Sequence, residues 1–265
     1  MALRRTTKSK LYRYSVYVVL LAIAVWAIVS TDWAKIGPLC FNPEIAAKMF
    51  PGIITTALVN TLWFTAVAFA GALLLGVVLA LMKLSTIAPF RWIATVWIEL
   101  FRGLPAILTI FGIAFILPIA LGVPGTKLGG PVVLGLIGLI LVASAYMAET
   151  IRAGIQAVPK GQTEAARSLG MSPMKTTFWI IVPQGFRIII PPLTNEFVLL
   201  LKDTSLLFVA GSFIWSKELT NFARDASTQN TNATPLIMAA ILYLIVTIPL
   251  TRFSAWLERR MAKQR

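Results

Sequence analysis

Histidine is absent from the 265 residues, cysteine occurs once, at Cys40, and acidic residues number only 10. The first absence excludes imidazole acid–base chemistry. The second excludes an internal disulfide and a multi-thiolate zinc site. Charge is scarce altogether: 13% of residues are Asp, Glu, Lys or Arg, against about 25% in a soluble domain. The space is filled with apolar residues, which make up 58% of the chain and give a mean hydropathy of +0.82. A soluble core of this chain length cannot hide so much apolar surface, so the bilayer must be the solvent. The 24 Lys and Arg leave a net charge of +14. In a soluble protein that excess would suggest nucleic acid. In a membrane protein it is better explained by cation-rich cytoplasmic segments, and no nucleic-acid partner is expected.

Apolar runs long enough to cross predict an all-α integral membrane protein of about six spans. They lie near Tyr14 to Thr31, Ile53 to Met82, Gly103 to Leu121, Pro131 to Ile151, Phe178 to Leu201 and Pro235 to Trp256. A shorter stretch, Ser205 to Trp215, reads as interfacial or re-entrant. Cations fix the orientation. One side collects Arg4, Arg5, Lys8, Lys10 and Arg13, then Lys83 and Arg91, then Arg152, Lys160, Arg167, Lys175 and Arg187, then Arg252, Arg259, Arg260, Lys263 and Arg265. The other side has Lys35, Lys48, Lys127, Lys217 and Arg224. Both termini are therefore expected in the cytoplasm. The N-terminal stretch resembles a secretory signal, but Ile28 to Asp32 lacks a small-x-small cleavage site, so a retained anchor is expected. Trp26, Trp33, Trp92, Trp97, Trp215 and Trp256 are placed near the interfaces.

The chain has no G-x-x-x-x-G-K-[ST] run, no dinucleotide-binding turn and no assembled nucleophile. Solute movement would be passive, ion-coupled or driven by another subunit. The segment from Val158 to Pro173 is the most informative. Thr163 to Arg167 favours helix, Gly170 is a left-handed terminator, and Ser172-Pro173 starts a new helix with Ser as cap and Pro at the first position. A short helix between two turns results. Ala165 and Ala166 lack bulk, so another protein has room to pack against it. An ordinary charged loop is the bland alternative.

Glu164-Ala165-Ala166, three residues, Gly170, nine residues and then Ile180-Ile181-Val182-Pro183 resemble the EAA loop of ABC-importer permeases, E-A-A-x3-G-x9-I-x-L-P. Val182 replaces the Leu of that pattern. The flanks resemble the polar amino-acid subfamily: Ala145 to Glu149, Arg152 to Ile155, Val158 to Gln162, Pro183-Gln184, Arg187, Pro191-Pro192, Asn195 and Lys202 to Leu206. Phe101-Arg102-Gly103-Leu104-Pro105 resembles its F-R-G-T-P, with Leu104 for Thr. The likeness covers about Thr55 to Ala255. Residues 1–50 then look like a basic tail, anchor helix and external loop added to a permease domain over 51–265, with a coupling helix near 160–170.

The resemblance implies a multi-pass permease of the bacterial cytoplasmic membrane that takes up a polar amino acid of the glutamate, glutamine, aspartate or arginine class. It implies a second permease chain, identical or related, and a dimer of ATPase subunits that bind ATP and Mg. It also implies an extracytoplasmic amino-acid-binding protein. Membrane lipid surrounds the chain, no cofactor or metal is expected in it, and it is not itself an enzyme. Glu164, Ala165, Ala166 and Gly170 are then the ATPase-coupling residues. An ion-coupled secondary transporter would need its own ion site and usually internal repeats, and neither is visible. A membrane scaffold is the non-transport alternative.

Intramembrane charge is costly, about 2.5–3.5 kcal/mol on insertion scales. Glu196 follows Pro191-Pro192, which cannot both keep helical hydrogen bonds. Thr194, Asn195, Glu196, Asp203 and Thr204 are therefore candidates for a polar translocation path, with helix packing as the alternative role for Glu196. Lys202-Asp203 reads as a local ion pair, Glu149 as a partner of Arg152, and Glu99 as the partner of Arg102. Gly71, Gly76, Gly135 and Gly138 are expected to let helices approach closely.

Overall fold

The computed structural model describes residues 5–211 and 216–262, with side chains from residue 12 to 261 outside the gap. Arg4, Lys263, Arg265 and Trp215 lie outside the described residues. So do the side chains of Arg5, Lys8 and Lys10.

Every regular element described is helical. The chain opens with α1 (Arg5–Ser30), α2 (Trp33–Cys40) and α3 (Pro43–Met49). A π-helical turn, Ile53–Leu58, leads into α4 (Val59–Leu84). Next come α5 (Ala88–Gly103), α6 (Ala106–Phe111), a π turn at Gly112–Ile116 and α7 (Leu117–Ala120). The long α8 (Pro131–Gln156) is followed by α9 (Lys160–Ser168), α10 (Pro173–Thr176) and a third π stretch at Thr177–Ile181. The chain continues through α11 (Val182–Asp203), a 3-10 segment at Thr204–Ala210, α12 (Leu219–Asn230) and α13 (Thr234–Ala262). Four helical stretches are long and apolar enough to cross a bilayer: Tyr12–Ser30, Ile53–Leu84, Pro131–Gln156 and Thr234–Met261. A fifth is possible if the bent pair Ala88–Gly103 and Ala106–Ala120 is one span.

Packing is organised by smallness, as bilayer physics requires. Apolar tails compete for apolar surface, so helices associate through close backbone approach. On α4 the small residues Ala68, Ala72, Gly76 and Ala80 recur every four positions, and all are buried. That face meets α8, whose buried side carries Gly138, Ala143, Ser144, Ala145 and Ala148. A Cβ on Gly138 would sit 2.9 Å from Ile110 Cα, and one on Gly76 3.0 Å from Met147 Cβ. Large apolar side chains turn outward instead, with Leu74 72% and Trp63 63% exposed.

The sequence expected a third span from Gly103 to Leu121. The structure instead joins two helices bent by 107° at a break over Leu104–Pro105. Gly103 ends α5. Leu104 takes extended angles, φ −89° and ψ 140°, because the Pro105 ring disfavours helical geometry in the residue before it. Pro191-Pro192 lie inside one expected span, and there α11 runs through unbroken. Buried Ile189 and Leu193 on either side pack into the main core and hold the helix in place.

No residue in the apolar stretch of α1 is buried. The segment after it is anchored. Asn42 caps α3 through Glu44 N and Ile45 N. Asn42 N donates to Thr234 Oγ1 (2.9 Å), Asn232 Nδ2 to Pro38 O (3.0 Å), and Ala233 N to Leu39 O (2.9 Å). These bonds tie α2 and α3 to the start of α13.

Candidate functional site

Two features stand apart from the packed bundle: α9 with its turns, and a cavity beside the α5–α6 break that holds two carboxylates. The stop signal of α9 is read in its hydrogen bonds. Gly170 N donates to Arg167 O (3.0 Å) and Met171 N to Ala166 O (3.1 Å), a Schellman closure. Gly170 supplies the required left-handed conformation with φ +82°. Ser172 then caps α10 by accepting from Lys175 N at 3.4 Å, and Pro173 occupies the first turn. The short helix and both turns were legible in the sequence.

Its faces were not. Glu164 and Ala165 are exposed, but Ala166 is only 5% exposed and turns toward the chain itself. Of the two alanines, Ala165 is the one that the fold leaves accessible. Leu169 is 84% exposed, an uncovered apolar side chain at the tip of α9 that sequence reasoning passed over. Gln184 Nε2 donates to Gln162 Oε1 (3.2 Å) and to Ile180 O (3.0 Å), which links α9 to the start of α11.

The second feature is a cavity of about 290 Å³. Leu104 and Ala106 from the break line it, with Leu139, Val142 and Tyr146 of α8 and Glu196, Leu199 and Asp203 of α11. Glu196 and Asp203 lie seven residues apart, two helical turns, and so share a face. Arg102 does not pair with Glu99 as expected. Its guanidinium lies over the Tyr146 ring, 5.4 Å from the centroid. None of the described ion pairs joins Lys202 to Asp203. The other candidates are dispersed. Thr194 Oγ1 donates to Pro191 O (2.6 Å) and meets Ser254 Oγ on α13 (2.9 Å). Asn195 is exposed away from the cavity. Thr204 is fully buried and donates to Leu201 O (2.7 Å). Sequence reasoning missed that Leu104, Ala106 and Tyr146 join Glu196 and Asp203. The available signal was Gly103 followed by X-Pro, a stop within an apolar run.

Two further ionic groups brace the bundle. Glu149 accepts from Arg152 (2.7 Å), as expected, and also from Lys83 of α4. Glu218 caps α12, taking Thr220 N (2.6 Å) and Asn221 N (2.7 Å), and Tyr243 Oη donates to it from α13 at 3.2 Å. Burial outweighs these donors and pushes its carboxyl up to about 7. Trp97 is half-buried and donates to Ser144 Oγ at 3.3 Å. Trp26, Trp33, Trp92 and Trp256 are exposed. No cluster of ligands suited to a metal ion occurs among the described residues.

Residues 72–263 match a family model described as "Binding-protein-dependent transport system inner membrane component". The chain is 33% identical over 241 residues to the inner membrane amino-acid ABC transporter permease protein YhdY of Escherichia coli, across 90% of this chain and 64% of that one. It is 38% identical to the probable glutamine ABC transporter permease protein GlnM of Bacillus subtilis, across 77% of this chain and 91% of the relative. Among solved structures, one described as an amino acid ABC transporter with histidines superposes with a TM-score of 0.72 at 35% identity, covering 81% of this chain and 96% of its own. A bacterial alginate ABC transporter, 15% identical with a TM-score of 0.64, shares the fold over 97% of this chain.

Proposed function

The chain belongs to the binding-protein-dependent inner-membrane components of ABC transporters, a family of multi-pass cytoplasmic-membrane permeases rather than ATPases, and from that premise we propose that it is the permease subunit of an importer for a polar amino acid. In this reading α11 is a sixth span, both termini face the cytoplasm, and α9 lies on that side. Residues 1–50 add an anchor and an external loop to the permease domain over 51–265. Two ATPase subunits, holding ATP and Mg, bind below a pair of permease chains, and an extracytoplasmic binding protein delivers the amino acid from above.

The observation that carries the reading is α9. It is short, exposed along Glu164, Ala165 and Leu169, and closed at a fixed angle by Gly170. It is joined at both ends to long helices of the bundle. A rigid handle of that kind converts the closure of a neighbouring subunit into movement of α8 and α11. Glu164, Ala165 and Gly170 are the coupling residues, and Ala166 seats the helix against its own chain. The cavity supports a translocation role for Glu196 and Asp203, because their carboxylates suit the ammonium group of an amino acid. Thr194 and Thr204 stand beside that path as packing groups, and Asn195 is turned away from it.

Gly170→Val tests the coupling role. Open space surrounds a Cβ at this position, so the cost is backbone strain alone, about 1–2 kcal/mol. In liposomes carrying permease, ATPase and binding protein, uptake per ATP hydrolysed should collapse while insertion is kept. Uptake at the wild-type ratio would defeat the coupling role. ATP-independent uptake driven by an ion gradient would defeat the importer reading.

A further inference from the structure

The outward face of α5 carries two depressions that share Trp92 and Val96 and so form one trough. Lys83 and Arg91 stand at its mouth, and Ile93 and Leu100 continue it along the helix. No acidic side chain lines it. Arg91 is held in place at the mouth, its Nη1 donating to Ser85 O (3.1 Å) and Thr86 O (2.8 Å). It has no carboxylate partner among the described ion pairs. Lys83 and Arg152 share the single carboxylate of Glu149, so the charge at this corner stays positive.

The order of chemistry along the trough is informative. Cations sit where α5 begins, an exposed indole follows, and apolar side chains extend toward the break at Leu104–Pro105. A lipid presents the same order from headgroup to acyl chain. We propose that the trough holds one anionic phospholipid from the leaflet at the α9 end, with its phosphate on Arg91 and an acyl chain along Val96 and Leu100. A second copy of the chain is the poorer occupant. A two-fold contact through this face pairs the same patch with itself and sets cation against cation. The proposal stands apart from the transport reading, since it needs only a bilayer.

The test uses the purified complex in mild detergent, exposed to mixed micelles of phosphatidylglycerol and phosphatidylcholine and read by native mass spectrometry. The wild type should retain phosphatidylglycerol in preference. Arg91→Gln should lower that preference about fivefold, the loss expected for one cation near a charged lipid surface. In a Cys40→Ser background, Val96→Cys should form no disulfide between two copies in intact membranes. Equal retention of the two lipids, an unchanged preference in Arg91→Gln, or efficient cross-linking at position 96 would each overturn the proposal.

Discussion

Prolines interrupt two helical regions of this chain, with opposite results. At Leu104–Pro105 the axis turns by 107°. At Pro191 and Pro192, where two consecutive amide donors are missing, α11 continues from Val182 to Asp203. Proline chemistry is the same in both places, so the neighbours decide. Before Pro105 stand Gly103, which resists helix, and Leu104, and all three residues are exposed. Around Pro191 and Pro192, Ile189 and Leu193 are buried at 4% and 8% exposure, and Thr194 donates its hydroxyl to Pro191 O. In α11 the prolines are absorbed where buried side chains on both sides keep their register.

The strongest way to break the comparison is to remove the bend. Gly103→Ala with Pro105→Ala should allow α5 and α6 to merge, which displaces Leu104 and Ala106 from the cavity wall. Spin-label distances across residues 96 and 110 should lengthen, and uptake should be lost while the protein still inserts. An unchanged distance would mean that packing against α8, not proline, sets the angle. Gly138→Val probes that alternative directly, because the new Cβ would press on the Ile110 backbone. Overpacking of this kind costs about 1–3 kcal/mol, to be read as a lower melting temperature in detergent.

Glu196→Gln sharpens the link between the bend and the cavity. It keeps shape and removes one of two carboxylates, so uptake should fall severalfold while basal ATP hydrolysis persists. An equal loss of both activities would assign Glu196 to folding. Pro192→Ala should act in the opposite sense to the changes at Pro105. It restores a helical donor without moving buried neighbours and should raise the melting temperature, since proline in a helix interior costs about 3 kcal/mol relative to alanine.

The smallest effect concerns a helix start made by a carboxylate rather than by proline. Pro105 begins α6 without a side-chain cap, whereas Glu218 caps α12. Its folded value, about 7, lies above the ordinary 4.5. Between these values the folded protein holds the extra proton, so stability falls as pH rises through that window and the contribution is complete below it. Thermal melting should show this slope in the wild type and a flatter one in Glu218→Gln. An identical slope in both proteins would place the titration elsewhere.

The sequence by itself determined the solvent of this protein and the outline of α9. Both depend on local chemistry: an excess of apolar residues, a left-handed glycine, and a Ser-Pro helix start. The family was legible for the same reason, since Glu164, Ala165, Ala166, Gly170 and Pro183 are close enough in the chain to be read as one pattern. Only the tertiary structure decided which proline bends a helix, that Ala166 faces inward, and that Arg102 lies over Tyr146 instead of meeting Glu99. It alone brought Leu104, Tyr146, Glu196 and Asp203 to one cavity. Those outcomes depend on contacts between residues tens of positions apart, where packing overrides the preferences of neighbours along the chain.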